Sequence, residues 1–361
     1  MSAQQSFSGF LKKQGIQITW DRIGIKAFGA MAQGLFASLL IGTIINTLGT
    51  QLHLPALNRI GGFATQGAGA AMAVAIGFAL QAPPFVLYSL VAVGAAANSL
   101  GGAGGPLAVF FIALVAVFCG KLVSKMTPID LIVTPAVTII TGVVAAFFLA
   151  PLIGKFANLF GMAVMWATEM QPFFMGILIS AIVGIVLTLP ISSAALCAAL
   201  GLVGLAGGAA VAGCCAHMVG FAVASYRENR IGGLLAQGLG TSMLQIPNLM
   251  KKPVLWIPAV AASLINGPVA TVAFKLKMSG PPISSGMGTS GMVGPIGVMT
   301  GWFKPSEQAL SMGQAAISPG AIDWIGLILV AIVIPAVVSL LVSEFMRKRS
   351  LILDGDLKIE C

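Results

Sequence analysis

Gly238-Leu239-Gly240-Thr241-Ser242 and, 48 residues later, Gly286-Met287-Gly288-Thr289-Ser290 write one five-residue pattern twice. Between the copies lies a clear apolar span, Val254 to Phe274. Each copy sits in a segment too apolar for an aqueous loop, yet too broken by Gly, Pro and Ser to cross a bilayer as one helix. Lipid offers backbone N–H and C=O groups no partner, so irregular chain at membrane depth must be buried in protein or line a watery cavity. Paired interruptions of this kind point to the binding site of a transporter. The expectation is a polytopic carrier whose substrate site is built mainly by these two segments.

Composition supports the class. Hydrophobic residues make up 58% of the 361, charged residues 8%, and the mean hydropathy is +1.00. A soluble surface needs more charge than that, so an all-α integral membrane protein is expected. The 45 glycines suit helices that pack closely in lipid. The net charge of +9 is scattered along loops rather than interleaved with aromatics, which argues against nucleic acid.

Ten spans can be drawn: Phe28–Leu48, Ile60–Leu80, Pro84–Leu100, Pro106–Val123, Ile129–Pro151, Pro172–Leu189, Ser193–Val211, Ala212–Tyr226, Val254–Phe274 and Ile322–Ser343. A length of about 20 residues matches a bilayer core. With the N-terminus cytoplasmic, 14 Lys and Arg, Lys121 and Lys125 among them, fall inside and 5 outside, which predicts both termini in the cytoplasm. Residues 1–26 read as a cytoplasmic segment rather than a signal peptide, with Phe7, Phe10 and Leu11 beside Lys12 and Lys13 forming an interfacial helix. A single transmembrane domain follows over 27–345, with 27–190 mainly scaffold and 191–320 mainly substrate-binding, and 346–361 form a cytoplasmic tail. Asn98–Pro106 is a tight turn or an unwound crossing. Pro135, Pro258, Pro268 and Pro335 are expected to bend helices whose freed carbonyls find other partners.

No phosphate loop, zinc-protease helix or nucleophile elbow occurs, so no catalytic role, cofactor or metal is expected. Cys119, Cys197, Cys214 and Cys215 read as small apolar packing residues, and Cys361 has no domain around it. His53 is a solvated loop residue. His217, inside an apolar Gly-rich stretch, is either a neutral imidazole bonded to a backbone carbonyl or a substrate or proton site. Asp130 and Asp323 read as helix-start anchors, Glu169 as an interface anchor or vestibule group, and Glu228 as a loop charge paired with Arg227 and Arg230. The broken segments supply neutral groups: Gln237, Thr241, Ser242, Gln245 and Asn248 from the first, Ser284, Ser285, Thr289 and Ser290 from the second. Hydroxyls and amides suit a neutral polyhydroxylated solute. The alternative is that these small residues only pack helices.

Thr127-Pro128-Ile129-Asp130-Leu131-Ile132-Val133-Thr134-Pro135, Thr138-Ile139-Ile140-Thr141-Gly142 and Ala150-Pro151-Leu152-Ile153-Gly154 resemble the membrane (IIC) component of the sugar phosphotransferase system, glucose superfamily. More narrowly, the chain resembles its stand-alone PfoR-type branch. The resemblance implies ten helices with re-entrant hairpins, a homodimer in the bacterial inner membrane, and elevator movement of a substrate-carrying part against a scaffold. Sugar-phosphorylating relatives carry a Gly-Ile-Thr-Glu-Pro-like hairpin. The corresponding stretch here, Gly240-Thr241-Ser242-Met243-Leu244-Gln245-Ile246-Pro247, has no carboxylate, and no phosphocysteine-bearing IIB domain follows. The leading expectation is therefore a carrier of a small polar solute, a sugar or sugar derivative, that does not phosphorylate it. A membrane sensor acting through a cytoplasmic partner and a permease with separate IIB are the alternatives.

Overall fold

A computed structural model describes residues 14–16 and 19–359. The proposed interfacial helix at Phe7–Lys13 and the C-terminal Cys361 lie outside the described residues. Within them the regular structure is all helical, save one isolated antiparallel bridge between Gly204 and Met278. Six helices are long and apolar enough to cross a membrane, and the pair Pro55–Gln66 and Ala68–Ala79, bent by 46°, would make a seventh if it forms one span.

Several boundaries differ from the sequence expectation. The fifth span continues without a break into a 39-residue helix, Asp130–Thr168, past Pro135 and Pro151. Its Phe147, Phe148, Leu152 and Trp166 are exposed, as a face meeting lipid or another apolar surface would be. The seventh and eighth spans are wrongly divided. Ser193–Ala199 is a short helix, and Gly204–Ala224 is one continuous helix running through the expected boundary at Val211. The stretch Gly207–Gly213 contains only Gly, Ala and Val, so no polar residue marks where a helix stops. The ninth span is found almost unchanged as Pro253–Ala273.

The chain divides into two compact units, 1–42 with 62–156 and 43–61 with 157–361. In the first, Pro84–Gly101 and Gly105–Val123 pack together around a tight turn at Gly102–Gly104. The Phe28 and Phe110 rings lie 4.2 Å apart between centroids. Lys121, grouped with the loop cations by the sequence, is in fact buried in the last turn of its helix. Its ammonium donates to the carbonyls of Gly15 and Leu80, both at 2.8 Å. Leu80 closes the helix Ala68–Ala79, so a cation there meets the negative end of that helix.

The second unit is organised around Gly204–Ala224, the central helix, nearly every residue of which is buried. Pro172–Thr188, Ile257–Pro268 and Ile334–Lys348 pack along it. Its Gly- and Ala-rich sequence lets backbones approach closely, which in lipid replaces the hydrophobic drive as the source of packing energy. The freed-carbonyl part of the proline expectation is seen at Pro335. A π-type turn over Leu329–Val333 sends the Ile334 amide back to the Leu329 carbonyl. The next donor, for Val330, would come from Pro335, which has none. Asn266 Nδ2 reaches across at 2.8 Å to supply it, and also donates to the Ala212 carbonyl at 2.9 Å.

Candidate functional site

Both copies of the repeated pattern lie in the second unit, and they meet. The turn Ser290–Met292 lies against Ala236–Gly240, and both segments flank the central helix. Thr241, Ser242, Thr289 and Ser290 are all buried. In the first copy a π-type turn at Ala236–Gly240 stops at Thr241, whose backbone is fully extended, and helix resumes through Ser242–Gln245 into Ile246–Lys251. Thr241 Oγ1 accepts the Met243 amide at 3.1 Å and caps this restart. In the second copy Pro282–Ser285 ends at Gly286, three residues with positive φ follow (Gly288, Gly291, Met292), and Val293–Phe303 begins.

His217 projects from the central helix with no exposed surface. It does not bond a backbone carbonyl, as the simpler sequence reading held. Its Nδ1 lies 3.0 Å from Thr188 Oγ1, and that hydroxyl lies 2.8 Å from Ser242 Oγ. Three side chains from three elements thus form one chain of hydrogen bonds: the end of Pro172–Thr188, the central helix and the first broken segment. The imidazole sits against Gly184, where a Cβ would stand 2.5 Å from its Cδ2, so only glycine leaves it room. Phe221 and Trp256 flank the ring, with centroids 6.0 and 5.9 Å away. Nε2 has no partner.

The amides are arranged differently. Gln237 Nε2 donates to Ser225 Oγ at 2.7 Å and to the Gly233 carbonyl at 3.1 Å. Gln245 Nε2 donates to Gln237 Oε1 and to the Leu357 carbonyl, both at 2.9 Å. Asn248 Nδ2 donates to Gln245 Oε1 at 2.8 Å and to the Lys358 carbonyl at 2.9 Å. Gln237, Gln245 and Asn248 therefore form a ladder occupied by the chain's own C-terminal residues. Ser285 donates to the Leu202 carbonyl at 2.6 Å, and Thr289 points at the Met218 sulfur at 3.7 Å. Ser290 Oγ is buried with no partner.

The acidic residues sort as follows. Asp130 opens its helix and accepts from Thr134 Oγ1 and the Lys125 amide at 2.6 and 2.7 Å, and Asp323 accepts the Gly320 amide at 2.8 Å. Both are helix-start anchors. Glu228 does not pair with its neighbouring arginines: it binds Arg347 at 2.7 Å, while Arg227 binds Glu344. Cys197, Cys214 and Cys215 are buried and free, as packing residues would be. Thr188 and Trp256 were not singled out by the sequence. Thr188 ends an apolar helix and Trp256 opens one, which looks like ordinary boundary chemistry.

Six apolar helices long enough to cross a bilayer, among the described residues, define a polytopic membrane protein with two interrupted segments meeting against a buried central helix. A family model described as phosphotransferase system, EIIC matches residues 25–359, and the chain belongs to that family. It is thus a multi-pass, sugar-related permease component. No curated protein and no solved structure matches the chain.

Proposed function

We propose that the chain carries a small neutral polyhydroxylated solute, of the sugar class, through a site between the two Gly-x-Gly-Thr-Ser turns. The observation that carries this reading is a pair of buried polar atoms without partners, His217 Nε2 beside the first turn's hydrogen-bond chain and Ser290 Oγ in the second turn. Leaving such an atom unmet costs about 1–3 kcal/mol, so a site that keeps two of them is built for a guest that satisfies both. A hydroxyl both donates and accepts, so it suits Nε2 in either tautomer. Trp256, half-buried beside His217, offers the apolar face that ring C–H groups of a sugar require. Thr241 and Thr289 position the two turns.

The first broken segment carries no carboxylate, which supports movement of the solute without phosphorylation by this chain. Family membership supports a second reading, a permease whose phosphoryl donor domain is a separate IIB partner. In either case the twin turns travel with 191–320 in an elevator movement against a dimerising scaffold in the bacterial inner membrane, with both termini cytoplasmic. Uptake of labelled sugars into proteoliposomes, with and without a phosphoryl donor and IIB, separates the two. Ser290→Ala should cut uptake severalfold without loss of folded protein. Unchanged uptake by this variant and by His217→Asn would remove the twin-turn site.

A further inference from the structure

The residues after the last long helix make contacts that transport alone does not call for. Leu351-Ile352-Leu353-Asp354-Gly355-Asp356-Leu357-Lys358-Ile359 forms neither helix nor strand, yet Ile352 and Leu357 are 2% and 1% exposed. Both pack in one apolar cluster with Phe221, Leu249 and Leu255. Leu249 belongs to the first broken segment, and the Phe221 ring lies edge-on to His217 and Trp256. Main-chain groups do the polar work. The Leu357 carbonyl accepts from Gln245 and Asn229, the Lys358 carbonyl accepts from Asn248, and the Ile359 amide donates to Asn229 at 2.9 Å. Two ionic contacts fasten the ends: Lys252 to Asp356 at 2.6 Å, and Arg347, itself bound to Glu228, to Asp354 at 3.4 Å.

We propose that residues 351–359 are a latch that holds the first broken segment closed and must release it before the solute site beside Ser242 can exchange its contents. Gln237, Gln245 and Asn248 belong to the lock rather than to the sugar, because their amide donors are taken up within the chain. Binding through carbonyls and one short acidic turn suits reversible release. The segment carries no helix or strand of its own, so release costs its hydrogen bonds, its two ionic contacts and the burial of Ile352 and Leu357 without unravelling regular structure. The family match runs through residue 359, so the latch falls inside the matched region rather than beyond it. The gating claim rests on the twin-turn site, whereas the holding of residues 237–249 by the tail does not.

The test is hydrogen exchange and sugar uptake on the full chain in nanodiscs and proteoliposomes. Asp356→Lys places two cations together, and Asn229→Ala removes two tail contacts should the first variant fold poorly. Each should speed exchange across 237–249 by about three- to tenfold and raise the initial uptake rate. The swap Lys252→Asp with Asp356→Lys should return both readings toward wild type. Unchanged exchange in both single variants would show that the tail does not hold the segment. Faster exchange with unchanged or lower uptake would make the tail a staple and overturn the gate. A silent wild type beside an active variant would be the strongest support. If neither carries any sugar while exchange rises, the twin-turn site fails, the gate with it, and only the tail contact survives.

Discussion

The two Gly-x-Gly-Thr-Ser copies share their letters and differ in how they are held. The first hangs on side-chain hydrogen bonds, Ser242 to Thr188 to His217, and on the amide ladder gripped by the tail. The second is pressed backbone to backbone against the central helix. At Gly288, where φ is +51°, a Cβ would stand 2.7 Å from the Cys214 carbonyl carbon. At Gly286 it would stand 2.3 Å from the Ser193 carbonyl oxygen, whereas at Gly238, the counterpart of Gly286, the nearest atom would be Ala222 Cβ at an ordinary 3.7 Å. Hydrogen bonds between side chains can be exchanged one at a time, whereas interlocked backbone cannot. If residues 351–359 act as a latch, it is the first copy that lets go.

The largest test of that contrast is a pair of substitutions, one in each copy. Gly288→Ala combines positive φ with backbone overlap and should cost about 2–5 kcal/mol, seen as loss of monodisperse protein or a large fall in Tm. Gly238→Ala should fold normally. Equal damage from both would erase the asymmetry. Next, Thr188→Val keeps the shape but leaves His217 Nδ1 and Ser242 Oγ without their shared partner. It should destabilise by about 1–3 kcal/mol in thermal unfolding and reduce uptake as well. Ser290→Ala breaks no hydrogen bond and removes an unmet buried hydroxyl, so folding stability should stay level or rise by up to about 1–3 kcal/mol while uptake falls.

The smallest effect concerns pH. Burial alone raises the Asp356 carboxyl, but hydrogen bonds from the Lys252 ammonium and the Leu353 amide, with the charges of Lys252 and Arg347, outweigh it and hold it below the usual carboxylate value. A lowered folded-state value means its contribution is complete above the unfolded value, near about 4, and is lost only as pH falls through the lower one. Exchange across 237–249, corrected for intrinsic rates, should therefore be flat from neutrality to about pH 4 and rise below it. In Asp356→Asn that acid step should vanish.

The sequence was readable where physics is local. Val254–Phe274 could be bounded to a residue because charged or Pro-rich chain flanks an unbroken apolar run, and the repeated string drew attention to two turns that do meet. Residues 193–226 were opaque because small apolar residues fill a helix and a helix break equally well. The roles of Gln245 and Asn248 were hidden for another reason: their partners lie 112 and 110 residues away, beyond any spacing rule. Their chemistry, neutral amide donors, was read correctly, but the acceptor turned out to be the chain itself. Thr188 escaped because a lone hydroxyl at the end of an apolar run carries no pattern.

The π-type turn before Pro335 has a consequence for how the second unit can vary. Val330 draws its missing proton donor from Asn266, on a different helix, so the π-type turn in the last helix is written in two places at once. A chain that loses the amide at 266 while keeping the imino acid at 335 strands a carbonyl in a greasy interior. One that loses the imino acid first lets position 335 supply its own amide and frees Asn266 from half its duty. The order in which those two positions can change is thus constrained, and descendants with a regular final helix should have lost the proline before the asparagine.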